Sequence, residues 1–355
     1  MVHDVSVCRR AFELVSVKYP RTAASPMADV RRPPPRCTEI TCPAIFVCRL
    51  DRGRFWGVDT ARASHPARAQ AETERNVGRE RAFAQVDVFA ARPYGGNPVA
   101  VVLDGDGLTD TDMARFARWT NLGETTYVTT PKSARADFGL RFFSPHGELP
   151  FAGHPTLGSV HAWLESGGKP GNGDVVVLEC GVGLVDVRRT GDTLSFRGPA
   201  LRRTGPLDDE YLDRIARGLR IDRSDILDHN WVDNGPGWAA VRLASAADVL
   251  ALEPDDARMG EFMLGVVGPY PEGSPQQFEV RAFALPIGVR EDPVCGSVNA
   301  GIAQWLIDSG QAPPSYEASQ GAAIGRDGIL SIRFIDGNVW VGGASLTCIH
   351  GTVQL

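Results

Sequence analysis

Glu148-Leu149-Pro150-Phe151-Ala152-Gly153-His154 is answered, 143 residues later at the glycine, by Glu291-Asp292-Pro293-Val294-Cys295-Gly296-Ser297. Both stretches read Glu, any residue, Pro, any residue, a small residue, Gly, a polar residue. Each stands behind a strand-like run, Leu140-Arg141-Phe142-Phe143 or Val280-Arg281-Ala282-Phe283, with a Pro/Gly turn between. Each leads into an apolar stretch of helical length, residues 155–166 and 298–309, in which Trp163-Leu164 answers Trp305-Leu306 at an offset of 142. A period this long exceeds the roughly 20–50 residues of solenoid repeats. It describes two similar halves, each a strand, a glycine turn and a buried helix.

A helix opened by glycine presents unpaired backbone N–H groups and a partial positive charge. Two such termini facing one cleft suit a small carboxylated molecule and the negative charge that develops beside its carboxylate. Glu291 and Asp292 at the second turn, and His154 at the first, are placed to exchange protons, or merely to cap helices.

Around this repeat the composition is that of a folded chain: 355 residues, 43% hydrophobic and 23% charged, with 39 glycines and 25 prolines that favour an α+β or β-rich fold. No apolar run reaches the ~18–20 residues of a membrane span. Charge is uneven. Residues 1–80 hold 14 Lys and Arg against 9 Asp and Glu, whereas the rest hold 23 against 34. An acidic main body argues against nucleic acid as a partner. The first 82 residues lack a sustained period and are expected to form a poorly ordered extension. Seven scattered cysteines indicate a reducing, cytoplasmic setting.

From Ala84 the pattern sharpens. Residues 85–89 and 99–103 read as strands, Thr109 and Asp112 as a helix cap, and residues 124–129 as a further strand. His146, His154 and His161 lack a thiol or carboxylate arrangement that would complete a zinc site. Gly181-Val182-Gly183 lacks the third glycine of a dinucleotide fingerprint. The turn between Trp231 and Trp238 is a candidate cleft wall.

Taken in order, these stretches resemble the PhzF-like (phenazine biosynthesis) family, which shares the diaminopimelate epimerase fold. The matching residues are Val86-Asp87-Val88-Phe89, Gly96-Asn97-Pro98-Val99-Ala100-Val101, Asn121 to Val128 and Pro150 to Gly158. They continue with Glu291 to Ser297, Gln320-Gly321 with Gly325-Arg326, and Val341-Gly342-Gly343. The resemblance implies an α+β fold of two pseudo-symmetric domains, each a mixed sheet closed around a central helix. Residues 83–203 would form the first and 204–345 the second, with 346–355 a strand returning to the first.

By resemblance, Glu124 is the catalytic carboxylate, taking a proton from one carbon and returning one elsewhere. His154, Asp292 and Ser297 match the other active-site positions. Gly153, Gly296 and Cys295 would bind the substrate carboxylate. The resemblance implies a homodimeric isomerase with a small carboxylated substrate and no metal, flavin, pyridoxal phosphate or nicotinamide. Burial of Glu124 where it enters an apolar strand would lift its pKa into the range such chemistry needs.

Two departures matter. Epimerases of this fold oppose two thiols, and here the first turn has Ala152 while the second has Cys295. Gly123 stands where the family carries Ser. Cys295 is either a small polar stand-in for Thr or, activated by the helix terminus, a second acid/base that with Glu124 would make an epimerase. A non-catalytic small-acid-binding protein is the third reading, favoured by an exposed Glu124.

Overall fold

A computed structural model of the chain describes residues 78–355, so the expected extension, residues 1–82, lies almost wholly outside the described residues. Strand β1 (Glu80–Val88) is followed by β2 (Asn97–Val102), helix α1 (Asp110–Thr120), β3 (Glu124–Thr129), β4 (Phe138–Ser144) and the short β5 (Gly147–Leu149). Helix α2 (Gly153–Glu165), β6 (Val175–Cys180), β7 (Gly183–Thr190) and β8 (Thr193–Arg197) come next. After α3 (Asp209–Leu219) run β9 (Asp228–Trp231), β10 (Ala239–Arg242), α4 (Ala246–Leu250), α5 (Asp256–Met259) and β11 (Met263–Pro269). The chain ends with β12 (Phe278–Ala284), β13 (Val289–Asp292), α6 (Gly296–Asp308), β14 (Ser315–Gln320), β15 (Gly328–Ile335) and the long β16 (Asn338–Gln354).

The fold is mixed α/β and dominated by one sheet. Strands β1-β2-β3-β4-β6-β7-β8-β16 are hydrogen-bonded in that order, and β16 turns back to pair antiparallel with β1. Those eight strands therefore close into a ring. On its other flank β16 continues the sheet through β15, β14, β12, β11, β10 and β9. β1 starts five residues ahead of the expected 85–89 strand because the end of β16 offers partners: Glu80 pairs with Gln354 and Arg81 with Val353. Arg81 is buried, its guanidinium donating to the carbonyls of Asp104 and Asp106.

Helix α2 sits inside the ring against β1, β2, β3, β8 and β16. Its sequence explains the placement. His154 to Val160 are all buried, so the helix has no solvent face to present, and a helix apolar all round must lie within a core. α6 has the same character, with Val298 to Ala303 buried, and packs on β11, β15 and β16. α1 and α3 are amphipathic, capped by Thr109 and Asp208, and lie outside with acidic first turns. No helix among the described residues is long and apolar enough to cross a membrane.

Gly158, in the middle of α2, shows how tight that packing is. A Cβ there would collide with Val99 Cγ1 and come within 3.0 Å of Val88 Cγ2. Helix propensity favours Gly158→Ala by about 1 kcal/mol, whereas overpacking costs about 1–3 kcal/mol. The expected outcome is a net loss of up to about 2 kcal/mol in urea unfolding. A more stable variant would show that the centre of the ring is loosely filled.

Candidate active site

Both glycine turns lie where a strand, a short antiparallel return and a helix follow one another: β4, β5 and α2 in one case, β12, β13 and α6 in the other. In both, the Glu of the motif pairs with the Arg of the preceding strand. Arg141 binds Glu148 with both bonds at 2.7 Å, and Arg281 binds Glu291 at 2.9 and 2.8 Å. The second pair is buried, each side chain 6% exposed. Glu291, which its position beside Asp292 had made a candidate for proton exchange, is thus held in a buried bidentate ion pair.

The remaining expected residues do come together. Glu124 opens β3, brought there by the αL cap at Asn121 that ends α1. Its Oε2 lies 3.4 Å from His154 Nε2 at the start of α2. The side chain is mostly buried, and this burial, reinforced by the charge of Asp292, pushes its pKa up to about 8. Asp292 closes β13. Burial lifts its pKa to about 6, against hydrogen bonds from Cys295, the Val294 amide and Asn97 that favour the ionised form.

Burial holds His154 near a pKa of about 3, so its ring is neutral. The ring also bonds the Pro98 carbonyl, which only accepts. Nε2 has no hydrogen-bond partner, so Nδ1 makes that bond and carries the ring proton. Nε2 therefore presents a lone pair towards Glu124, whose carboxyl holds a proton at neutral pH. Donor and acceptor match.

Cys295 departs from one expectation. It caps α6, where a helix terminus would lower a thiol's pKa, yet its pKa is raised well above the ordinary value. Burial and the neighbouring Asp292 outweigh the terminus. The thiol stays protonated and bonds Asp292, with Ser297 Oγ 3.4 Å from Sγ.

Neither α2 nor α6 has a side-chain cap or an acid in its first turn, unlike α1 and α3. Their uncompensated N-terminal dipoles suit an anion. The two termini flank one ring: a Cβ on Gly153 would meet Phe196 Cζ at 2.6 Å, and one on Gly296 would meet the same atom at 3.1 Å. Only glycine lets both approach that ring.

Four side chains here carried no signal of their role. Asn97 Nδ2 donates to Asp292 Oδ1 at 2.8 Å and to the Val294 carbonyl at 3.0 Å. Trp238 Nε1 donates to Ser297 Oγ at 2.9 Å, and Asn234 Nδ2 to the Ser297 carbonyl at 2.8 Å. Gln320 bridges the second glycine turn. The Trp231–Trp238 turn was legible only as a candidate wall.

Glu124 keeps its proton in the fold at pH values where the unfolded chain has released it. Its contribution is complete below about 4.5 and is lost as pH rises through 8. Glu124→Gln removes this loss. Relative to wild type, the variant should gain on the order of 4 kcal/mol between pH 4.5 and 8, at about 1.4 kcal/mol per unit. Denaturant unfolding across pH measures it, and a flat difference would show that Glu124 is not desolvated.

The family model for phenazine biosynthesis-like proteins (PhzC-PhzF) matches residues 86–351. Antisense-enhancing sequence 1 of Schizosaccharomyces pombe is 36% identical over 293 residues, covering 77% of this chain and 98% of its own length. The trans-2,3-dihydro-3-hydroxyanthranilate isomerase of Pseudomonas chlororaphis is 33% identical over 286 residues, covering 77% of this chain and 99% of its own. Two solved structures of PhzF-family proteins share the fold over 78% of this chain and 100% of theirs. The one from Enterococcus faecalis has a TM-score of 0.66 at 23% identity, and the one from Bacillus anthracis 0.68 at 19%.

Proposed function

The chain belongs to the phenazine biosynthesis-like family and is an isomerase, and we propose that it moves a proton between carbons of a small carboxylated metabolite with Glu124 as the shuttle. The observation that carries this reading is a desolvated carboxyl with a pKa of about 8, facing a neutral imidazole and lying near a second buried carboxyl. A base tuned close to the working pH both takes and returns a proton efficiently.

The contacts support the following roles. The substrate carboxylate docks at the uncapped N-termini of α2 and α6, which also stabilise the negative charge left when Glu124 removes a proton from carbon. His154 Nε2, 3.4 Å from Oε2, faces the protonated carboxyl of resting Glu124 and orients it. Asp292 keeps the pKa of Glu124 high. Ser297, held by Trp238 and Asn234, offers a fixed hydroxyl beside the second turn. Proton return at a second carbon restores Glu124 and completes an isomerisation without net change in composition. The two similar strand–turn–helix units would stand as pseudo-symmetric domains around this cluster.

An epimerase pairing Glu124 with Cys295 requires the thiol to exchange protons, and its raised pKa disfavours the thiolate. Hydrogen bonding to Asp292 is a role that the threonine hydroxyl also fills.

The substrate named for the Pseudomonas chlororaphis relative, trans-2,3-dihydro-3-hydroxyanthranilate, serves as the probe. In heavy water, wild type should place deuterium on a ring carbon, and Glu124→Gln should lower that rate at least about 10³-fold. The rate should rise with pH and level off above about 8, because the base acts deprotonated. Cys295→Thr should keep the rate within about threefold. Full exchange by Glu124→Gln would remove the shuttle, and a collapse in Cys295→Thr would favour the epimerase.

A further inference from the structure

Nearly everything that holds Asp292 traces back to one loop. Its Oδ1 accepts from Asn97 Nδ2 at 2.8 Å and from the Val294 amide at 3.2 Å. Its carbonyl accepts from Gln320 Nε2 at 2.8 Å. The other end of the same side-chain amide, Gln320 Oε1, accepts from the Cys295 amide at 3.1 Å and from Asn299 Nδ2 at 2.8 Å. Gln320 is 1% exposed and spans the Asp292–Cys295 turn from carbonyl to amide, as a paired backbone segment would.

Past Gln320 the chain doubles back between β14 and β15. Gly321 has φ +102°, and a Cβ there would meet the Pro293 carbonyl at 2.6 Å, so a side chain is excluded on two counts. Arg326 Nη1 then donates to the Gly96 carbonyl at 2.6 Å, and the Asp327 amide to the Gly95 carbonyl at 2.8 Å. Gly95 and Gly96 form the turn that delivers Asn97. One loop therefore grips both turns that hold Asp292, although Asn97 and Asp292 lie 195 residues apart.

We propose that Gln320 is a positioning residue: its side-chain amide fixes the Asp292–Cys295 turn, so that the Asp292 carboxyl is held by Asn97 and kept near Glu124. This rests on the roles assigned to Glu124 and Asp292 above. A glutamine that only filled core volume would leave the surroundings of the Asp292 carboxyl unchanged when replaced by a side chain of equal size. The ionisable groups facing that carboxyl are Glu124 from β3, Glu291 beside it on β13 and the Cys295 thiol.

Two variants of the full chain test the proposal. Gln320→Met keeps the volume and removes all three bonds. Gln320→Glu keeps the acceptor, loses the donor to the Asp292 carbonyl when ionised, and regains it on protonation. The readouts are the carbon-13 carboxyl titration of Asp292, assigned with Asp292→Asn, the melting temperature, and deuterium exchange on the dihydroaromatic probe. The Asp292 midpoint should move by at least about half a unit, roughly threefold in proton affinity. On the probe, kcat should fall at least about tenfold with KM within about threefold. In Gln320→Glu the loss in kcat should vanish at pH values where the new carboxyl is protonated. An unchanged Asp292 midpoint or wild-type exchange in folded Gln320→Met, or wild-type kcat in Gln320→Glu at pH values where the new carboxyl is ionised, would overturn the proposal. If Gln320→Met does not fold, Gln320→Glu decides alone. If wild type itself does not exchange deuterium, the proposed reaction fails while the titration still decides the role of Gln320.

Discussion

Desolvation of the Glu124 carboxyl is the constraint on which the rest depends. A carboxylate in water costs the fold nothing, and one taken out of water must be neutralised, paired or protonated. Here Glu291 is paired, by Arg281. Asp292 is supplied with donors, from Asn97, Cys295 and a backbone amide. Glu124 receives neither and keeps its proton. Three acids near one another thus meet burial in three ways.

The architecture serves that arrangement. α2 is apolar enough to occupy the centre of a closed ring, which fixes His154 at its N-terminus with little freedom. Phe196 lies against both helix termini, so the spacing of Gly153 and Gly296 is set by a rigid ring. Each helix forgoes a side-chain cap, a stability device worth about 1 kcal/mol elsewhere, at the same place in both units. Local rules broken at the same place in both units are what the proposed substrate-binding role of that place would require.

Much of this was legible in the residues. The repeated Glu-x-Pro-x-small-Gly motif located both helix termini, and the apolar run from Pro155 marked a buried helix. The resemblance carried Glu124, His154, Asp292, Cys295 and Ser297, which converge. From the repeated motif alone, without the resemblance, which of the adjacent acids Glu291 and Asp292 turns to the site was not legible, because successive strand residues face opposite ways and parity needs the register. A hint existed, since Arg and Glu recur at corresponding places in both units as Arg141–Glu148 and Arg281–Glu291. The two readings of Cys295 stayed open in the residues because a helix terminus is visible in sequence, whereas burial beside a carboxyl is not. Asn97 and Gln320 reach Asp292 across 195 and 28 residues, beyond any local pattern. The early start of β1 depended on a partner at the other end of the chain.

The most direct measurement is the carbon-13 titration of the Glu124 carboxyl in the free protein, assigned with Glu124→Gln. The expected midpoint is about 8, falling when Asp292→Asn removes the neighbouring charge. A midpoint near the ordinary 4.5, unaffected by Asp292→Asn, would contradict the assignment of Glu124 as a desolvated proton shuttle.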